Sequence, residues 1–161
     1  MIPEIKKILY ATDLSENARY AFDYAISIAD HYDAKITIFH VLEELQADKT
    51  SIATHIIGEE RWKELRIKNE QKVIETIKAR LEKFCDEVAS KIPKCRVFTD
   101  EIIVKIGHPS NEILKIANNT PYDMVIMGTH GLGMLEEVVM GSTARRVVRR
   151  CKKPVLTIRL P

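Results

Sequence analysis

Cysteine, glycine, aromatic side chains and surplus charge are all scarce in this chain of 161 residues. The three cysteines, Cys85, Cys95 and Cys151, are odd in number and far apart, with no CxxC pair. That argues against a disulfide framework or a structural zinc site. Lys and Arg total 25 against 23 Asp and Glu, a net charge of +2. No excess of either sign exists to drive condensation on nucleic acid or a membrane surface. No segment approaches the roughly 18 apolar residues of a membrane span. The apolar run 8–10 is too short for a signal-peptide core, so the expectation is a cytoplasmic protein without nucleic-acid or membrane partners. A chain of this length buries about 68–70% of its unfolded surface. One domain over 1–161, held by its core alone, is therefore expected.

What the chain does contain is an alternation of short apolar runs and longer amphipathic stretches. Residues 5–11 form a nearly continuous apolar run, as a strand buried on both faces requires. Asp13, Leu14 and Ser15 interrupt it and supply N-cap candidates. From 16 to 31, the pairs Tyr20/Ala21, Tyr24/Ala25 and Ile28/Ala29 recur at helical spacing. Residues 35–42, rich in β-branched side chains, predict a second strand. Residues 43–58 have no firm period and read as a loop or a loosely helical excursion. From 59 to 91, Val73, Ile74, Ile77, Leu81, Phe84, Cys85 and Val88 fall at helical steps, and Pro93 ends the run. At 1.5 Å per residue that helix is roughly 45–50 Å long. Residues 97–106 predict a third strand, and Pro109-Ser110 opens a short helix. Residues 123–127 predict a fourth strand, 144–150 a helix and 154–160 the last strand. The order is that of an α/β protein, a five-stranded parallel doubly wound sheet with helices on both faces, Rossmann-like.

In such sheets ligands bind beyond the carboxyl ends of the strands, where the winding reverses. The rule selects residues 11–13, residues 40–42 and the segment from Gly128. That segment holds four of the six glycines, Gly128, Gly131, Gly133 and Gly141, within 16 residues. Glycine tolerates φ > 0 and lets backbone N–H groups approach a bulky anion. Gly141, Ser142 and Thr143 lead into a helix whose unpaired N–H groups suit phosphate. The plainer reading makes the glycines turns and Ser142 a cap. Their clustering at a strand's carboxyl end favours a phosphate cradle. Neither GxxxxGK[ST] nor a GxGxxG after the first strand is present.

The spacing Gly128-(2)-Gly131-(9)-Gly141-Ser142 resembles the G-2x-G-9x-G-(S/T) signature of the universal stress protein family, in its ATP-binding branch. Residues 6–15 (KKILYATDLS) resemble that family's opening strand and His40-Val41 the end of its second. Residues 123–130 (DMVIMGTH) and 153–156 (KPVL) resemble its fourth and fifth strands. The resemblance covers essentially the whole chain and implies an adenine nucleotide alpha hydrolase-like fold. It implies ATP, AMP or ADP as ligand, with any Mg²⁺ or Mn²⁺ held by the phosphates rather than by protein ligands. Ala11, Thr12 and Asp13 would line the base and ribose side, and Val41 would meet the adenine through its backbone. Gly128, Thr129, His130, Gly131 and Gly133 would form the loop under the triphosphate, with Gly141, Ser142 and Thr143 binding phosphate at the helix start, and Met127 would also contact the nucleotide. Some ATP-binding members carry proline where this chain has Ala11. Members commonly dimerise through the last strand, which implies a homodimer through Val155, Leu156 and Ile158.

Several residues admit more than one role. Asp13 either accepts a ribose hydroxyl, helps hold a metal near the phosphates, or caps the first helix; repulsion from phosphate makes the ribose the first choice. His130 either donates to phosphate or bonds its own turn. Arg145 or Arg146 could lean toward the nucleotide, whereas Arg149 and Arg150 complement a helix dipole. Trp62 reads as a packing residue and His40 as a histidine satisfied within the sheet. No catalytic set is visible, and phosphoryl transfer needs positioned cations and an oriented nucleophile. The sequence therefore reads as an ATP-binding stress-response switch or adaptor with an unidentified protein partner. A slow ATPase on the same fold and a nucleotide-free interaction module remain as alternatives. An HxGH-like motif of the adenylyl-transferring kind is missing after the first strand, where Thr12-Asp13-Leu14-Ser15 stands.

Overall fold

Short apolar runs become strands because both faces of a parallel sheet are covered. In the computed structural model, which describes residues 2–43, 58–93, 95–131 and 140–161 (Arg96 and Val97 by backbone alone), five strands make one parallel sheet. They are β1 (Lys7–Ala11), β2 (Lys35–Glu43), β3 (Thr99–Gly107), β4 (Met124–Gly128) and β5 (Val155–Ile158), in the order β3-β2-β1-β4-β5. The helices are α1 (Glu16–Tyr32), α2 (Glu59–Lys91), α3 (Cys95–Phe98), α4 (Pro109–Asn119) and α5 (Ser142–Arg150). The excursion expected at 43–58 falls outside the described residues except at its two ends, and Gly133 lies outside them too.

Strand side chains alternate between two cores, as the two-residue period demands. Ile8, Tyr10, Ile36, Ile38 and Ile126 pack with Phe22 and Ala25 of α1 and Leu81 and Cys85 of α2. Leu9, Ala11, Phe39, Val125 and Met127 pack with Ile113 and Ala117 of α4 and Ala144 and Val147 of α5. Burying each large side chain of this kind stabilises the fold by about 1.5–3 kcal/mol. The sheet is thus doubly wound, and β1 lies at its centre.

The third strand begins two residues later than its apolar run suggests. Residues 95–98 instead form one helical turn, α3, which carries Cys95 and Phe98 onto the same side. Both side chains are buried in the α1/α2 core, and Thr99 Oγ1 donates to Cys95 O at 3.2 Å. The apolar signal there belongs to packing through a turn. Helix α2 is continuous over 33 residues. Only its second half packs on the sheet, through Ile74, Ile77, Leu81, Phe84, Cys85 and Val88.

With β2 on one side of β1 and β4 on the other, the winding reverses between β1 and β4. The site follows from that reversal.

Candidate functional site

The turn after β1 is fixed by short bonds. Thr12 N donates to Phe39 O at 2.9 Å, tying the turn to β2. His40, buried in β2, places Nδ1 2.8 Å from Thr12 O. A carbonyl only accepts, so that nitrogen carries the proton. Thr12 Oγ1 accepts from Leu14 N at 3.1 Å, and Asp13 Oδ1 accepts from Ser15 N at 3.0 Å. These bonds hold Leu14 at φ +67°, a conformation that costs a side-chain-bearing residue about 1–2 kcal/mol. Ser15 is the N-cap of α1, and its Oγ accepts from Ala18 N at 3.2 Å. Capping therefore falls to Ser15, and Asp13 is left facing the cleft.

The exit of β4 packs against the start of α1. A Cβ on Gly128 would meet Ala18 N, Asn17 C and Asn17 Cγ, each at 3.3 Å. A Cβ on Gly131 would collide with Asp13 Oδ2. Neither glycine, nor Gly141 at φ −66°, has a positive φ. Gly128 and Gly131 are thus required for close approach, not for left-handed backbone. Asn17 donates through Nδ2 to Thr129 Oγ1 at 3.4 Å and His130 O at 3.2 Å. Its Oδ1 is buried with no hydrogen-bond partner, a cost of about 1–3 kcal/mol. Thr129 Oγ1 lies 2.8 Å from His130 Nδ1.

The two ends of the glycine segment are tied together. Gly141 N donates to Thr129 O at 2.8 Å, and Thr129 N to Ile158 O at 2.9 Å. Gly141 is the N-cap of α5 and makes no side-chain cap bond. The first turn of α5 thus opens beside the ends of β1 and β4, and no side-chain acceptor for its N–H groups is found among the described residues; a helix start of this kind attracts an anion.

Between these parts lies an open cleft of about 240 Å³. Its walls include Ala11, Thr12 and Asp13 after β1, Val41 in β2, and Met127, Gly128, Thr129, His130 and Gly131 from β4 onward. Gly141, Ser142 and Thr143 complete it at α5. Every described residue singled out from the sequence as a ligand contact lines this one cleft. The remaining one, Gly133, is outside the described residues. Arg145 and Arg146 do not line it; both are exposed on α5. The described wall has no Lys or Arg, and its acidic members are Asp13 and Glu43. Phe39, Glu43, Pro109 and Ile113 also line the cleft and carry no motif. Their signal is positional: Phe39 and Glu43 lie in β2, and Pro109 and Ile113 in the first half of α4. Asn17 had no signal at all, because a lone Asn in a first helical turn resembles any surface residue.

A parallel sheet of this order, with a cleft at the reversal and an uncapped helix start beside it, defines a doubly wound nucleotide-binding type of fold. The sequence profile described as the universal stress protein family matches residues 4–159, and the chain belongs to that family. The universal stress protein MJ0577 of Methanocaldococcus jannaschii is 30% identical, over 96% of this chain and 94% of its own. Its solved structure superposes with a TM-score of 0.75 at 29% identity, covering 99% of each chain. Two more distant structures share the fold. One is a universal stress protein in complex with cAMP, with a TM-score of 0.61 and 19% identity, covering 97% of this chain and 98% of its own. The other is the Archaeoglobus fulgidus protein in complex with dAMP, at 0.55 and 18%, covering 96% and 97%. Among the described residues no helix is long and apolar enough to cross a membrane.

Proposed function

We propose that the chain, as one unit over 1–161, binds ATP or a related adenine nucleotide in this cleft. In this reading it acts as a nucleotide-dependent switch or adaptor in a cytoplasmic stress response. The observation that carries the reading is the convergence of three separate segments, at 11–13, 127–131 and 141–143, on the point where the sheet reverses. The complexes of distant family members with cAMP and dAMP are consistent with an adenine ligand on this fold. The base lies against Ala11 and Val41. The Asp13 carboxylate, which would repel phosphate, accepts from the ribose hydroxyls. The phosphates take the N–H groups of His130, Gly131 and the α5 start, joined by the hydroxyls of Ser142 and Thr143. Any Mg²⁺ or Mn²⁺ in this reading rides on the phosphates. With no cation in the described wall to stabilise a transferring phosphoryl group, the site favours retention over turnover.

Mass spectrometry of small molecules released from the denatured, purified protein tests this. Wild type should release an adenine nucleotide. The Gly131→Val, Gly141→Val pair, which drives a side chain into Asp13 and crowds the helix start, should release none. A double variant that retains nucleotide as wild type does would place the ligand elsewhere. The slow-hydrolysis alternative requires phosphate release that tracks protein concentration and is lost in the same double variant.

A further inference from the structure

We propose that Asn17 is a positioning residue for the cleft: it sets the peptide between His130 and Gly131 so that the Gly131 N–H faces a bound phosphate. This rests on the nucleotide-binding reading above. A polar residue in the first turn of a helix ordinarily serves the helix by capping it. Here Ser15 already caps α1, and Asn17, only 6% exposed, reaches 112 and 113 positions along the chain to Thr129 and His130. Those two residues stand where β4 gives way to the glycine segment. Thr129 also accepts from Gly141 N, which ties in the far end of that segment. One amide group from α1 therefore governs the residue that joins both ends.

The direction of the effect follows from peptide geometry. In a trans peptide the C=O and the following N–H point opposite ways. Drawing His130 O toward α1 turns the Gly131 N–H away from α1. The second bond, to Thr129 Oγ1, orients a hydroxyl that contacts His130 Nδ1 at 2.8 Å. The Oδ1 of Asn17 is buried without a hydrogen-bond partner, so the polar reach of this side chain is exerted through Nδ2 alone. Gly128 lacks a Cβ at the point where one would press on Asn17 Cγ, so the close approach of α1 depends on that glycine.

The test compares wild type, Asn17→Asp and Asn17→Ala by calorimetric titration with MgATP. It also records the Gly131 backbone amide and His130 ring signals by ¹⁵N NMR. Asp keeps the side chain's shape and suits a helix start, but it cannot donate from the Nδ2 position. Should Asn17→Ala fail to fold, Asn17→Asp alone decides. Affinity should fall by about tenfold or more, the scale of one or two neutral hydrogen bonds. The Gly131 and His130 signals should shift while the α1 amide pattern stays. Wild-type binding retained within twofold by Asn17→Asp overturns the inference alone. So does weaker binding with unmoved Gly131 and His130 signals, as a merely structural role predicts. No binding by wild type overturns the nucleotide reading and this inference together.

Discussion

At Gly131 the constraint is a single contact: any Cβ runs into Asp13 Oδ2. Gly128 and Gly131 were conspicuous in the sequence as members of a glycine cluster, and both line the cleft. Their reason was not legible, because proximity to Asn17 and Asp13 is a property of the folded chain, more than 100 positions apart. Asn17 was illegible for the same cause. Titratable side chains make a separate prediction. Burial pushes the Cys85 thiol from 9.0 up to about 12. It also raises Cys95, and Tyr10, whose hydroxyl donates to Ala18 O at 2.5 Å. The folded state holds these protons above the pH at which the unfolded chain releases them. Their contribution is complete below about pH 9 and is lost as pH rises toward 12. Thermal melting from pH 8 to 11 should show a steady fall beginning near 9. A flat profile would contradict the burial of these groups.

Strands β1, β2 and β4 were readable from the sequence because a strand covered on both faces is apolar at nearly every position, and β5, half-buried at the edge, was readable from its short run of apolar and β-branched residues. β3 is covered less well, with a mixed pattern of half-buried and exposed residues. Its start was misjudged because Cys95 and Phe98 reach the core through a helical turn. Elements also separate stability from binding. Asp123, just before β4, accepts from Lys6 N and Lys7 N through Oδ2, both at 2.8 Å. These bonds lock β4 to β1 at the sheet's amino end, opposite the cleft. Asp123→Ala should lower the unfolding free energy by about 1.5–3 kcal/mol, the range for hydrogen bonds to a charged group. MgATP affinity of the folded protein should stay unchanged. Denaturant melts and titrations on one preparation read both, and a parallel loss of affinity would mean that the cleft depends on the far end of the sheet.

For the whole molecule, β5 is an edge strand, with Val155 and Leu156 half-buried in the isolated chain. Pro154 O and Ile158 O accept from β4 and the segment that follows it. Alternation then leaves the backbone of Val155 and Thr157 pointing outward. Open edges invite pairing, and we propose a two-fold dimer through this strand. Light scattering should give a dimer for wild type and a monomer for Thr157→Pro, which removes an outward N–H at a position where edge strands tolerate proline. A wild-type monomer would refute the pairing.

The net charge of +2 gives little attraction for a polyanion, and the described cleft wall carries no basic side chain. In the proposed reading, affinity for a nucleotide comes from oriented N–H groups that the glycines leave within reach. Titration of MgATP into nucleotide-stripped protein by calorimetry tests that claim most directly. The account predicts one saturable site per chain in wild type, lost in the Gly131→Val, Gly141→Val variant. No heat of binding in wild type at millimolar nucleotide, or equal binding by the variant, would contradict it.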